Sequence, residues 1–162
     1  MFMTEWTIGT GAGFAPVRAL REMVRVQEQG VLSEAEFDAL DAVAAHLFVR
    51  TDTGAPIAVG RMYPCPECDA VRMDRFIVAP AFRGKLYDDL LLRVMLYKAQ
   101  QMPFATIEAV AQTTELPLFA RFGFHDVKEA HAHGGVLLAV PRNGVIWESA
   151  CKHEGNRSTA QE

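Results

Sequence analysis

The hydrophobic period of this chain changes twice, and that constrains its fold more than any other feature. Between residues 14 and 29, Val17, Leu20, Met23, Val24 and Val26 recur mostly at helical spacing, and Gly30 ends the helix. From 46 to 50 and from 57 to 62 the pattern becomes that of a β-hairpin, joined across the turn-rich stretch 51–56. A third strand is expected over 71–78, after a turn at 64–69, and Pro80 stops it. Helical spacing then returns over 86–101, where Leu90, Leu91, Val94, Met95 and Ala99 form one face and Pro103 follows. A chain that alternates in this way lays helices on a sheet.

The remaining elements complete the pattern. Trp6 to Ile8 reads as a short strand ending in Gly9, Gly11 and Gly13. Ser33 and Glu36 have the spacing of a capping box, predicting a second helix whose apolar face is Phe37, Leu40 and Val43 or Ala44. A strand is expected over 104–111, followed by a short helix capped by Thr114, with Pro117 in its first turn and Gly123 at its end. The segments 124–127 and 135–140 suggest a closing antiparallel pair. The expected order is β-α-α-β-β-β-α-β-α-β-β, a mixed α/β sheet.

Of the 162 residues, 50% are hydrophobic and 22% charged, which excludes a disordered chain and fits a single domain over 1–147. The polar stretch 148–162 shows no apolar period and reads as a frayed tail. The net charge of −4 gives no chain-wide nucleic-acid footprint, and no apolar run reaches the ~18 residues of a membrane span. The N-terminus lacks a charged segment followed by an apolar one, and three cysteines make a secreted disulfide framework unexpected. These features point to a cytoplasmic protein with neither nucleic acid nor membrane as partner.

Chemistry is concentrated between residues 74 and 88. A strand leads through Ala79-Pro80-Ala81-Phe82 into Arg83-Gly84-Lys85 and then a helix. A basic, glycine-bearing turn at a helix N-terminus presents outward N–H groups and a favourable dipole to an anion.

The residues from Val78 to Lys85, followed by Leu90-Leu91-Leu92, resemble motif A of the GNAT acetyltransferase superfamily, V-x-P-x-(Y/F)-R-G-K-G-x-G-x-x-L. Ile107 to Gln112 and then Leu118-Phe119-Ala120-Arg121-Phe122-Gly123-Phe124 resemble motif B, A-Q-x-x-A-x-x-F-Y-x-x-x-G-F. Val17-Arg18, the run Val26 to Val31, and then Asp38, Asp41 and His46 are similar to a branch in which V-R-x-x-V-F-V-x-E-Q-G-V precedes an acidic helix and a histidine. The resemblance spans about 14–140 and implies a GNAT-like α/β fold: a mixed, mostly antiparallel sheet with splayed central strands and about four helices.

It also implies binding of acetyl-CoA or another acyl-CoA. The strand Phe76-Ile77-Val78 would hold the pantetheine amides, and the turn Arg83, Gly84, Lys85, Leu86, Tyr87, Asp88 would hold the pyrophosphate. A small-molecule or protein amine would attack the thioester directly, and a tyrosine would protonate the leaving thiolate. Homodimers are common among such folds.

The chain departs from the pattern at two places. Leu86 and Asp88 stand where the motif has glycines, putting a side chain and a like charge beside the pyrophosphate. Phe119 occupies the tyrosine position and has no proton to give. The alternative reading is therefore a degenerate domain that binds a partner or metabolite without acyl transfer. A further alternative is an enzyme like the acyl-homoserine-lactone synthases, with which Glu36, Asp38, Asp41 and the strand Gly60-Arg61-Met62 agree.

Other residues carry candidate chemistry. Asp74 is either a general base for an ammonium acceptor or one half of a solvent-facing pair with Arg75. His46 is either a base or a structural histidine. Cys65 and Cys68 form a C-x2-C that supplies either two zinc ligands, with Cys151 and His153 or His131 and His133 completing a site, or two plain thiols near a hairpin tip. Arg18, Arg21 and Arg25 form a basic stripe, either steering an acidic substrate or merely solvated.

Overall fold

The computed structural model describes residues 1–127 and 135–147. The expected order of elements is present: β1 Phe2–Ile8, α1 Phe14–Arg21, α2 Ser33–Glu36, β2 Ala45–Thr51, β3 Pro56–Cys65, β4 Ala70–Val78, α3 Tyr87–Gln100, β5 Thr106–Ala111, α4 Leu116–Arg121, β6 His125–Asp126 and β7 Val136–Pro141. The strands form one sheet in the order β1-β2-β3-β4-β5-β7-β6. Every neighbouring pair is antiparallel except β4 with β5.

Strand alternation supplies two cores. On β2, Leu47 and Val49 face α3, which buries Leu91, Leu92, Met95, Leu96 and Ala99 there. Phe48 faces the other way, joining Val59, Ile77 and Ala79 under Val17, Leu20 and Val24 of the first helix. That helix continues past α1 as a π-helical stretch, Glu22–Glu28. The wider winding ends the simple period: Val24 is buried, whereas Met23 is exposed. Gly30, at φ +72°, then reverses the chain.

Two capping expectations are corrected. Ser33 caps nothing: α2 is a single turn whose N-cap is Leu32. The Glu36 carboxylate is drawn onto Arg21 and Arg25, leaving it unavailable for a reciprocal cap. Phe37 and Asp38 are extended, so the expected second helix breaks in two. The capping box sits instead on the 3-10 turn Ala39–Ala42, where the Asp38 and Asp41 side chains accept from the Leu40 and Asp38 N–H groups. Thr114 likewise does not cap the last helix. Gln112 is the N-cap of the 3-10 turn Thr113–Glu115 that leads into α4, and the Glu115 carboxylate accepts its N–H.

Two features of β4 shape the functional region. Its parallel pairing with β5 ends at Met73 with Ala109, although both strands continue. Its pairing with β3 runs from Val59–Ile77 to Arg61–Asp74, placing an extra residue in β4. Arg75 lies in this bulge at φ +56°. The central strands therefore splay, as expected.

Gly60 of β3 lies where α3 approaches the sheet most closely. A Cβ there would meet Met95 Sδ, with Leu91 Cδ1 3.6 Å away. Gly60→Val should lower stability by ~1–3 kcal/mol through overpacking, read as a lower urea midpoint at unchanged slope.

Candidate functional site

The splay opens a cleft on both sides of the fork. One cavity of about 320 Å³ is walled by Phe76, Ile77 and Val78 of β4, Leu118 and Phe119 of α4, and Arg83 and Asp88 at its mouth. A second cavity of about 920 Å³ reaches Asp74, Arg75, Val110 and Gln112, just past the last β4–β5 pair. Gln29 lines both, so the two meet beside that side chain.

The turn at the mouth departs from its expected geometry at Leu86. Gly84 takes φ +74°, and a Cβ there would meet nothing within 4 Å, so the turn is open at that point. Leu86, the N-cap of α3, also takes a left-handed conformation, φ 65° and ψ 16°. Its side chain is 74% exposed and lines neither cavity. The departure lies in its backbone, where a non-glycine residue costs ~1–2 kcal/mol.

Asp88 does what a carboxylate at that place is expected to do. Its Oδ1 accepts the Asp89 N–H at 2.9 Å, occupying an amide at the helix start. Arg83 is held in a two-point pair with Glu28 at 2.6 and 2.9 Å, which keeps the Glu28 carboxyl below its usual range. Lys85 lies 5.8 Å from the Phe82 ring centroid, and Tyr87 packs on Phe82 and Phe2. Gly84, Lys85, Leu86 and Tyr87 thus sit on the turn without lining the cavity.

Phe119 is fully buried, its ring edge-on to Phe76 at 5.0 Å and to Phe124 at 5.2 Å. Sequence reasoning passed over a residue one helical turn earlier. Glu115 also lines the smaller cavity, with Oε2 2.8 Å from the Gln112 N–H. Burial pushes its carboxyl above the ordinary range, opposed by the Gln112 N–H and Arg25 and reinforced by Asp88. The signal in the sequence was its spacing: four residues before Phe119 and three after Gln112.

The larger cavity is backed by a buried charge network. Arg61, 1% exposed, donates to both oxygens of Asp74 at 2.7 Å, to Asp38 at 2.6 Å and to Asp41 at 3.0 Å. Arg21 joins Glu36 at 2.8 Å and Asp41 at 2.6 Å. Arg25 and Arg75 also reach Glu36, and Arg75 reaches Asp74 and Asp38. Four guanidinium groups are matched by four carboxylates.

Several sequence readings change here. Asp74 does pair with Arg75, at 3.2 Å, but it is buried, not solvent-facing, and both its oxygens also accept from Arg61. Arg21 and Arg25 are not a solvated stripe; only Arg18 is exposed, with its guanidinium 4.0 Å from the Phe37 ring centroid. His46 lies away from both cavities, fully buried against Phe14. Its Nε2 is 2.9 Å from the Asp41 carbonyl, which can only accept, so Nε2 carries the proton; Nδ1 has no hydrogen-bond partner among the described residues.

Cys65 and Cys68 are free thiols at the β3–β4 turn, and the neighbouring Cys68, then burial, raises the Cys65 pKa. No group of three or more metal-ligating side chains occurs among the described residues. His131, His133, Cys151 and His153 lie outside them, as does the expected tail. No helix among the described residues is long and apolar enough to cross a membrane.

No protein-family model matches the chain. Solved structures do. An acyl-CoA N-acyltransferase from Pseudomonas aeruginosa superimposes with a TM-score of 0.75 at 22% identity, covering 86% of this chain and 99% of that one. Escherichia coli ElaA gives 0.73 at 21% identity, with coverage of 86% and 99%. The CoA-dependent acyl-homoserine lactone synthase BjaI, solved with SAM and isopentyl-CoA, gives 0.67 at 16% identity, with coverage of 87% and 83%. The chain has the GNAT fold.

Two stability measurements test the network. Arg61→Ala leaves Asp38, Asp41 and Asp74 without their shared cation and should cost ~3–5 kcal/mol in denaturant unfolding. Burial lowers the His46 pKa on folding, so the unfolded chain binds that proton more readily. The stability His46 contributes is complete above its unfolded pKa of about 6.5 and is lost as pH falls through the lowered folded value. Wild type should therefore lose more stability than His46→Gln between about pH 7 and pH 5.

Proposed function

We propose that this chain is an acyl-CoA-dependent N-acyltransferase, with acetyl-CoA the first acyl donor to test and an amine as acceptor. One observation carries the reading: β4 leaves β5 after Met73, so the edge from Phe76 to Val78 faces a cavity whose mouth is a basic turn at a helix N-terminus. Strand amides and carbonyls released from the β5 ladder suit a ligand that itself contains amides, with the Val78 carbonyl accepting from Arg83 Nε at 3.2 Å in the free chain. The open turn at Gly84 and the start of α3 suit its phosphates.

In this reading Phe76, Ile77 and Val78 offer backbone to pantetheine. Arg83, Gly84 and Lys85, with the amides at Leu86, Tyr87 and Asp88, hold the pyrophosphate. The acyl-CoA thioester, when bound, supplies the activated acyl carbon. The larger cavity receives the amine and orients it toward the fork, where proximity removes much of the barrier. Phe119 forms an apolar wall and excludes water. Asp74 and His46 serve as structural groups, one in the Arg61 fork and the other on the Asp41 carbonyl.

Calorimetric titration with acetyl-CoA, with desulfo-CoA as control, tests the reading. Micromolar binding is expected, weakened ~10-fold by Lys85→Ala; Leu86→Gly, which relieves a left-handed backbone already present in the free chain, should raise stability and leave the affinity little changed. Absence of binding up to millimolar CoA overturns it. The alternative, a degenerate domain that binds a partner or metabolite, then takes its place, favoured by the Asp88 carboxylate on the Asp89 amide.

A further inference from the structure

We infer that Glu115 is the proton-transfer residue of this acyl transfer, carrying a proton from the attacking amine to the departing thiolate. The inference rests on the acyltransferase reading and adds to it a residue that the motif comparison passes over.

Position comes first. Glu115 lines the smaller cavity, while Gln112, whose N–H it accepts at 2.8 Å, lines the larger one. The carboxylate thus stands where the cavities approach each other, which is where thioester and amine must meet. It is four residues before Phe119, on the same side of the chain entering α4, and Phe119 can give no proton.

The other carboxylates and the phenol are placed differently. Glu36, Asp38 and Asp74 at the larger cavity are all tied to guanidinium groups. Asp88 lies at the turn and binds the Asp89 amide. Tyr63 lines the larger cavity but is paired in register with Arg72, on the closed side of the fork. Glu115 makes no ion pair within 4.0 Å among the described residues, and its second oxygen has no protein donor there.

The groups facing it are Arg25 from the π-helical stretch, Asp88 from α3 and the Gln112 amide; Arg83 shares its cavity. Burial and Asp88 hold the carboxyl above the ordinary range, while the Gln112 amide and Arg25 limit that rise. Such a group can accept and return a proton within one turnover.

The step balances without another reactant. A neutral amine forms the new N–C bond as the C–S bond breaks. The surplus N–H proton passes to the Glu115 carboxylate and from there to the thiolate sulfur. An acceptor that arrives as ammonium first loses its extra proton to solvent.

The test uses the full chain labelled with 13C at glutamate side-chain carboxyls. Glu115→Gln identifies the Glu115 signal and keeps an amide oxygen for the Gln112 N–H, whereas Glu115→Ala removes that cap. Carboxyl titrations are followed with and without CoA, alongside the ultraviolet absorbance of the bound thiolate. CoA should shift the Glu115 titration. Glu115→Gln should retain wild-type stability and CoA affinity within ~3-fold, yet lower the pH at which bound thiol ionises, because a neighbouring negative charge is gone. With any amine that releases thiol from acetyl-CoA, it should lower kcat ~100-fold or more at similar KM. If CoA binds and neither the Glu115 titration nor the thiol responds, Glu115 is only a cap and the assignment is overturned. If CoA does not bind, the acyltransferase reading itself fails, and the assignment with it.

Discussion

A guanidinium that is 1% exposed must be neutralised where it lies, and Arg61 sets that condition for everything around it. Removing such a charge from water costs several kcal/mol per ion, returned only by near-ideal partners. Asp74 provides a two-point fork from the adjacent strand, and Asp38 and Asp41 come from the turn that replaces the expected second helix. Each of those carboxylates then needs its own completion, which Arg75 and Arg21 provide. The result couples β3, β4, the first helix and the 38–41 turn in one neutral cluster. Its geometry also explains how a non-glycine residue persists at φ +56°: the Arg75 side chain is bonded to the Ala35 and Glu36 carbonyls and to Asp74.

That bulge lies immediately beyond the point where β4 parts from β5. Backbone groups left unpaired at a sheet edge are costly unless water or a ligand satisfies them. A splayed pair inside a sheet is therefore a marked place: the fold keeps polar backbone exposed to a cavity where continuing the ladder would have satisfied it. The cluster around Arg61 fixes one wall of this opening, and Phe76 against Phe119 fixes another. In the proposed acyl transfer, rigidity on both sides would help, since positioning is worth more when it is held in advance.

Much of this was legible in the sequence. The alternation of β2 and β3 and the helical period of α3 are strong because both faces of the sheet are covered, so each strand residue has a core to enter. The turn from Ala79 to Lys85 was legible because proline and glycine punctuate the chain there, and the basic residues beside them have no core to enter. What failed was tertiary. Ser33 and Glu36 have capping-box spacing, but spacing does not show that Arg21 and Arg25 compete for the same carboxylate. Arg18, Arg21 and Arg25 look like one stripe on a helical wheel, yet their partners are distant in sequence or lie on another face. At Leu86 the sequence displays a side chain, whereas the conflict with the motif is a backbone angle. Glu115 was overshadowed by Phe119, because attention to a missing hydroxyl does not reveal a carboxylate one turn away.

The mouth of the smaller cavity decides how far the departures from the motif reach. The Arg83–Glu28 pair is about two-fifths exposed on both sides, so solvent screens it. A phosphate can take the same guanidinium through stronger charge-assisted bonds, so this pair is a weak competitor. The left-handed Leu86 backbone is present in the free chain, so its strain costs stability more than binding. Asp88 differs, because its charge and its bond to the Asp89 amide act directly against an anion. A single exposed like charge at a helix N-terminus is worth ~0.3–1 kcal/mol, less than one order of magnitude in affinity. Set against the proposed pyrophosphate site, an open turn at a helix N-terminus with two basic side chains, these terms weaken binding without cancelling it.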